Sequence, residues 1–240
     1  MAIKRITPMY EWPKQTPVLT EEQKLAREDF MIHWHKVLPN KYGMVEKFNH
    51  RGAFTEEIKP GIRTLELGAG LGAHIEFEDL SKQTYVANEL RAEMAQEIKK
   101  RYPQVEVLVG DVQAGLPCES ASFDRALAVH VLEHLPDLPR ALKEIRRVLK
   151  PDGFFQVVIP CEGSLAYTMA RNISARRIFE KRNKMSYDFV VESEHVNLAD
   201  EIVFALKKEF TVEIKKFFPL NFVPIQTCNL VISLVCRPKK

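Results

Sequence analysis

The sequence predicts an α/β fold built on a doubly wound, mostly parallel sheet. From residue 62 onward, short β-branched or apolar runs alternate with amphipathic helical patterns. Three glycines at alternate positions follow the first of these runs, in "LELGAGLGAH" (65–74). The last two apolar runs have no obvious crossover helix between them, which predicts an antiparallel pair. A length of 240 residues suits one large domain.

The strands and helices of the predicted sheet follow from this alternation. Helices are predicted in "LRAEMAQEIKKRYP", in "DLPRALKEIRRVLKPDG" and over about 198–209. Residues 161–197 are too many for a simple connection, so we interpret them as an insertion after the fifth strand, with a helix through Leu165, Met169 and Ile173. The predicted strands are 62–67, 83–88, 104–109, 123–129, 154–159, 211–217 and 229–236.

A helical segment, residues 1–59, precedes this domain of residues 60–240. Thr20 is a suitable N-cap for a helix that begins with acidic residues and has apolar residues at helical spacing, and Pro39 is expected to end it. The segment also holds both tryptophans of the chain, together with Tyr42.

Composition and charge exclude several classes of function. With 45% hydrophobic and 28% charged residues and no apolar run long enough to span a membrane, the chain reads as an ordinary globular protein, expected in the cytoplasm because its beginning lacks the apolar core of a secretory signal. A formal charge of +3 is too small to argue for a nucleic-acid partner. The four cysteines form no C-x-x-C pair, so neither disulfides nor a metal site are expected.

The glycine-rich turn predicts a ligand at the carboxyl edge of the sheet. Glycines after a strand allow backbone N–H groups to approach a ligand where Cβ atoms would collide, although a tight turn without a ligand has the same pattern. The spacing G-x-G-x-G at Gly68, Gly70 and Gly72 differs from the dinucleotide fingerprint G-x-G-x-x-G, and no Gly-Lys-Ser/Thr follows. A pyrophosphate ligand therefore fits poorly.

Two acidic residues at the next strand ends indicate an adenosine-type ligand. Glu89 ends the second predicted strand, where a carboxylate accepts hydrogen bonds from both hydroxyls of an unphosphorylated ribose. Asp111 follows the third, where a carboxylate accepts from an exocyclic amine such as that of adenine. The alternative for Glu89 is a solvated acid that caps the following helix.

These pieces together resemble a class I S-adenosylmethionine-dependent methyltransferase. The resemblance rests on "LELGAGLG", "ANEL", "GDVQAGLP" and "FDRALAVHVLEHLPDLPRALKEIRRVLKPDGFFQVVIP", covers roughly residues 60–160, and is strongest to the small-molecule enzymes of ubiquinone and menaquinone biosynthesis. It implies a Rossmann-like, seven-stranded sheet whose last strand is antiparallel, and a cofactor in the crevice where strand order reverses.

The resemblance also implies roles for individual residues. The methionine part of S-adenosylmethionine would lie among Glu66 and the three glycines, with His130 at the same end. Glu89 would hold the ribose, and Leu90 lies beside it. Asp111 and the backbone of Val112 would meet the adenine. In relatives, segments like 1–59 fold over the cofactor and help to shape the acceptor pocket.

Histidines are the candidates for a general base, because methyl transfer from a sulfonium is mainly a matter of positioning and otherwise needs only removal of an acceptor proton. His130 and His195 are the candidate catalytic residues. His134, in "LEHLPD", is interpreted as structural. For His195 the alternative is a plain loop residue, with Asn197 as the cap of the next helix.

The predicted function is methyl transfer to oxygen, nitrogen or carbon of a small molecule. The insertion is rich in arginine and lysine, including Arg171, Arg176 and Arg177, which bind an anionic acceptor or form the solvated face of a helix. The alternatives are an RNA or protein methyltransferase, a protein that binds the cofactor without catalysis, and a nicotinamide oxidoreductase. Against an enzyme that methylates nucleic-acid amines, the loop after the fourth strand lacks an Asn/Asp-Pro-Pro-aromatic motif.

Overall fold

The sheet has seven strands, in a computed structural model that describes residues 10–41, 43–54 and 58–239, without the side chains of 34–41 and 215. The strand order is β3-β2-β1-β4-β5-β7-β6. β7 is antiparallel to both of its neighbours, and the other described pairs are parallel. The strands are β1 (Ile62–Leu67), β2 (Gln83–Glu89), β3 (Glu106–Val109), β4 (Phe123–Val129), β5 (Leu149–Pro160), β6 (Phe210–Phe218) and β7 (Val231–Pro238).

Helices cover both faces of this sheet. One face carries the largest apolar core, where Leu65 and Phe155 pack with Leu142 and Ile202 of two amphipathic helices. The helices described outside the sheet are α1 (Glu21–Lys41), α2 (Gly43–Lys47), α3 (Ala92–Arg101), α4 (Leu138–Val148), α5 (Leu165–Arg171), α6 (Arg177–Asn183), α7 (Asp188–Glu194) and α8 (Ala199–Glu209).

The N-terminal helix and the insertion pack together as a helical cap, which we define as α1 with residues 165–194. Phe30 of α1 is buried between the rings of Phe179 and Tyr187, at centroid distances of 5.3 and 5.6 Å. Ion pairs extend the contact, since Arg182 binds Asp29 and Arg27 lies 3.2 Å from Glu194. The cap is thus one unit made from two distant segments of the chain.

The predicted fold class is confirmed, including the antiparallel last strand, the N-terminal helix and the insertion after the fifth strand. Two details were wrong. The fifth strand begins at Leu149 rather than 154, and α1 continues through Pro39 to Lys41. The predicted helix through Leu165, Met169 and Ile173 is present as α5 and the π-helical turn Asn172–Arg176, and these three side chains are exposed.

Two sequence features need a separate note. Trp34 and Tyr42, which belong to the aromatic set of the N-terminal segment, lie outside the described side chains. Among the described residues, none of the helices combines the length and the apolar composition that crossing a bilayer requires.

Candidate functional site

The candidate site lies at the carboxyl edge of the sheet, where the strand order reverses. β1 is flanked by β2 on one side and β4 on the other, so the chain leaves the sheet centre in opposite directions. Loops that follow parallel strands diverge at such a point and leave a crevice. The loops after β1, β2, β3 and β4 carry the residues that the sequence singles out.

Glycine is present at the three positions of the first loop for different physical reasons. All three have positive φ angles, of 59°, 58° and 79° at Gly68, Gly70 and Gly72. A Cβ on Gly68 would lie 2.7 Å from Val131 Cγ2, and one on Gly72 would lie 3.0 Å from the Tyr102 ring. A Cβ on Gly70 would meet nothing within 4 Å. Packing therefore explains the first and third glycines, whereas Gly70 borders open space.

Glu89 joins the glycine loop to the end of β2. Its side chain is buried, and Oε2 accepts a hydrogen bond of 2.8 Å from the backbone N–H of Gly70. Oε1 accepts from the N–H of Arg91 at 3.0 Å. Fixed backbone donors hold this carboxylate in one orientation at the crevice. Leu90, the next residue, has an exposed side chain.

Asp111 is oriented by a residue that the sequence interpretation missed. Gln113 donates to Asp111 Oδ1 from its backbone N–H (2.8 Å) and from Nε2 (3.0 Å), while its Oε1 accepts from the N–H of Asp137. Gln113 thereby links the loop after β3 to the start of α4. The Val112 side chain is buried in the core, so only its backbone is available to a ligand.

Glu66 is buried at the end of β1, below the glycine loop. Tyr85 donates a hydrogen bond of 2.9 Å to its Oε2. Burial raises the pKa of Glu66 to about 8, although the hydrogen bond from Tyr85 acts in the opposite direction. A carboxyl in this state is ready to ionise when a cationic group approaches.

Three histidines surround the buried carboxylate of Glu133. His130 Nδ1 lies 3.2 Å from Glu133 Oε1, and His134 Nε2 lies 4.0 Å from the same atom. His130 directly follows β4 and has a φ of 52°, a conformation that residues with a side chain rarely adopt. The rings of His134 and His195 are 5.1 Å apart. The two catalytic candidates and the histidine interpreted as structural thus form one cluster.

Glu162 supports His195 from the end of β5. His195 Nδ1 lies 2.7 Å from Glu162 Oε2, and the other oxygen of this buried carboxylate binds Arg171. Burial lowers the pKa of His195. The hydrogen bond to Glu162 and the charges of Glu133 and Glu162 together raise this pKa by more than burial lowers it, so that it lies above its usual value. Burial lowers the pKa of His134.

Sequence reasoning missed Glu133 and Glu162, yet a signal for Glu162 was present. It lies two positions past the end of β5, as Asp111 lies two positions past the end of β3, and the same rule applied to β5 finds it. The interpretation of Asn197 as a helix cap was wrong. Leu198 is the N-cap residue, and the Asn197 amide instead donates to the carbonyls of Leu132 and Leu135.

The arginines of the insertion divide into two groups. Arg176 is paired with Glu180 and Asp188, within the helical cap. Arg171 is mostly buried beside Glu162, and its Nε has no hydrogen-bond partner among the described residues. Of these two arginines, only Arg171 belongs to the cluster around His195.

The fold and the site together define an α/β protein with a glycine loop and carboxylates at strand ends beside the crevice of its sheet. Residues 65–157 match the family described as "Methyltransferase domain". A solved structure from Thermotoga maritima, titled a SAM-dependent methyltransferase and possible histamine N-methyltransferase, matches with a TM-score of 0.60 and 21% identity. The match covers 90% of this chain and 99% of that chain, and shows a shared fold.

Curated relatives match about half of the chain. A probable S-adenosylmethionine-dependent methyltransferase of Mycolicibacterium smegmatis is 30% identical over 136 residues, 57% of this chain and 48% of that protein. The malonyl-[acyl-carrier protein] O-methyltransferase of Erwinia pyrifoliae is 34% identical over 112 residues, 46% of this chain and 42% of that protein. The chain spans about half the length of the curated relatives it matches.

Residues 65–157 thus resemble a methyltransferase domain, and the chain is similar to S-adenosylmethionine-dependent methyltransferases over about half of its length. S-adenosylmethionine is the cofactor that this similarity indicates. The open space beside Gly70, which a Cβ would enter without collision, fits a ligand that approaches the backbone of this loop.

Proposed function

We propose that the protein transfers the methyl group of S-adenosylmethionine to a small-molecule acceptor. The observation that carries the proposal is the juxtaposition of Gly70 and Glu89, because the loop is bare where it faces the crevice and the carboxylate beside it is held by backbone donors. When bound, the cofactor supplies an electrophilic methyl group on a sulfonium.

The proposed binding residues follow the crevice from one strand to the next. Glu89 holds the two ribose hydroxyls, and Asp111 with the backbone of Val112 meets the adenine edge. The amino-acid end lies at the glycine loop above Glu66, whose ionisation an ammonium group would favour. Leu90 supplies an apolar contact from its exposed position after β2.

The chain's contribution to the chemistry is positioning and, for acceptors that lose a proton, general base catalysis. We assign the role of general base first to His130, because this residue directly follows β4 beside the glycine loop. Glu133 lies next to its Nδ1, which leaves Nε2 for an acceptor. His195, oriented by Glu162, is the second candidate. The helical cap contacts this side through Arg171, which binds Glu162.

An anionic acceptor is supported by Arg171 rather than by Arg176. The Nε of Arg171 is buried without a partner among the described residues, whereas the guanidinium of Arg176 is taken up by two carboxylates. Two relatives suggest acceptor classes, since one is named a malonyl-[acyl-carrier protein] O-methyltransferase and another a sterol 24-C-methyltransferase. An acceptor panel should therefore contain carboxylate-bearing and neutral lipophilic compounds.

Calorimetry with S-adenosylhomocysteine tests the cofactor site. Replacing Glu89 with alanine should weaken binding by about 1 to 3 kcal/mol, roughly 5- to 150-fold, because a hydrogen-bonded carboxylate is lost. Glu93→Ala, an exposed acid in the first turn of α3, is the matched control and should bind as the wild type does.

Activity is tested separately, by production of S-adenosylhomocysteine over the acceptor panel. Cofactor binding without turnover on any acceptor would favour the non-catalytic alternative. Equal affinity of Glu89→Ala and wild type would contradict the ribose assignment, and stabilisation by NAD in place of S-adenosylmethionine would contradict the cofactor itself.

A further inference from the structure

Glu133, His134 and His195 bring three metal-ligating side chains together beside the end of β4. One ligand atom from each lies within 4.8 Å of the other two. Glu133 and His134 belong to the 3-10 turn Leu132–His134, and His195 follows α7, 61 positions further along the chain. Two imidazoles and one carboxylate are a set that binds divalent first-row transition metals.

The buried carboxylate of Glu133 has one oxygen without a partner among the described residues. The residue is 1% exposed, and its Oε2 has no hydrogen-bond partner among the described residues. Oε1 is shared between His130 and His134, at 3.2 and 4.0 Å. A buried carboxylate oxygen that accepts no hydrogen bond destabilises the folded protein, and a bound cation removes that destabilisation.

Each of the two histidine ligands, His134 and His195, has a carboxylate near its Nδ1 atom. Glu162 Oε2 lies 2.7 Å from Nδ1 of His195, and Glu194 Oε2 lies 3.6 Å from Nδ1 of His134. The hydrogen bond to Glu162 fixes the ring of His195, whereas Glu194 makes only a longer ion-pair contact with His134. Nε2 of each ring is left for a ligand bond. Carboxylates on the distal nitrogen are the usual outer partners of metal-bound histidines.

We propose that Glu133, His134 and His195 form a binding site for one divalent transition-metal ion of the zinc, cobalt and manganese type. In a tetrahedral site with metal–ligand bonds of about 2.0 to 2.1 Å, the ligand atoms lie about 3.4 Å apart. The three ligand atoms are within 4.8 Å of one another, so side-chain rotations that move each atom by about 1.5 Å or less complete the site. Three protein ligands leave at least one position open to a further ligand. The sequence predicts no metal site, because its cysteines are scattered and these ligands are far apart in the chain.

The ion binds without S-adenosylmethionine, so the site is independent of the proposed function. If both hold, the open position takes an oxygen of the acceptor, His195 serves as a ligand, and proton acceptance remains with His130. This last assignment rests on the proposed function, whereas metal binding itself does not.

Cobalt binding to the full chain, freed of metal by chelation, tests the site. Titration with Co²⁺ should give visible d–d absorption that saturates at one ion per chain, and Zn²⁺ should displace it. Glu133→Gln, His134→Asn and His195→Ala should each weaken binding at least about tenfold, and Glu162→Gln should weaken it by a smaller factor. His33→Ala, on α1, is the matched control and should bind as the wild type does.

Three outcomes would overturn the proposal. They are absence of stoichiometric binding, a thiolate-to-cobalt band in the near ultraviolet that assigns the ion to a cysteine such as exposed Cys228, and ligand variants that bind like the wild type. Because Glu133 is buried, far-ultraviolet circular dichroism and the thermal unfolding midpoint verify that each variant is folded. If Glu133→Gln fails to fold, the two histidine variants decide the question.

Discussion

The two sides of the crevice, which we propose hold the methyl donor and the acceptor, are built in different ways. On the donor side, the glycine loop and Glu89 lie within 25 residues of one another, and their contacts run through backbone N–H groups. On the acceptor side, His130, Glu162 and His195 come from three separate elements, and their contacts join side chains. Short, continuous sequence therefore specifies the donor side, whereas the acceptor side exists only after the sheet and the cap have assembled.

A buried network of ionic hydrogen bonds lies beneath the glycine loop. His74, the last residue of the glycine segment, is buried and bonds to Glu78 at 2.9 Å, and Glu78 in turn binds Arg125 at 2.9 Å. Arg125 is 1% exposed within β4 and also donates to Gln156. Burial raises the pKa of Glu78, but His74 and Arg125 lower it more, so this carboxylate stays ionised inside the protein.

The largest expected effect comes from breaking this buried support. Arg125→Met should destabilise the protein by about 3 to 5 kcal/mol, because the Glu78 carboxylate is left buried without its main cation. Urea denaturation followed by circular dichroism measures the free energy of unfolding. The double variant with Glu78→Gln should recover part of the loss, since it removes the uncompensated charge.

Arg63 provides the control for that experiment. It pairs with Glu106 at 3.2 Å, and both side chains are more than a third exposed. Arg63→Met should cost no more than about 1 kcal/mol, as is usual for surface pairs. Equal losses at Arg125 and Arg63 would show that the network beneath the loop gives no special support to the donor side.

A smaller effect is expected within the glycine loop, where two positions with the same φ differ only in their neighbours. Gly68→Ala should cost about 2 to 4 kcal/mol, the sum of a left-handed alanine and of overlap with Val131. Gly70→Ala carries only the conformational cost of about 1 to 2 kcal/mol. It should, however, weaken S-adenosylhomocysteine binding, because its methyl group enters the open space.

Val131 supplies the test of cause. In a Val131→Ala background, Gly68→Ala should lose the part of its cost that comes from overlap, whereas Gly70→Ala should be unaffected. If Gly70→Ala leaves cofactor affinity unchanged, the open space beside this glycine is not part of the cofactor site.

The extent of correct prediction follows the same division. The bounds of β1 and β4, and the positions of Glu89 and Asp111 at strand ends, follow from local periodicity, so the sequence predicts them directly. Gln113 escapes prediction because its partner, Asp137, lies 24 positions away. The pairing of His195 with Glu162 depends on how the insertion folds back over 33 positions, and no local pattern specifies that return.

The last prediction addresses the link that makes the acceptor side one unit. The Asn197 side chain is fully buried, donates to the carbonyls of Leu132 and Leu135, and accepts from Trp12 Nε1 at 2.8 Å. Asn197→Ala should cost about 1 to 3 kcal/mol by leaving these groups unpaired in the interior. Its measurement is the free energy of unfolding, with S-adenosylhomocysteine affinity as a second readout.

Asn183 is the matched control, because its amide makes one hydrogen bond, to the Phe179 carbonyl, at the end of α6. Asn183→Ala should cost less than about 1 kcal/mol. Since Asn197 joins the turn after β4 to the insertion and to the N-terminal segment, its loss should disturb the histidine cluster while S-adenosylhomocysteine affinity stays within about twofold. A loss of cofactor affinity as large as that of Glu89→Ala would mean that the two sides of the crevice are one cooperative unit. The two sides would then depend on each other in ligand binding, although they are formed by separate parts of the chain.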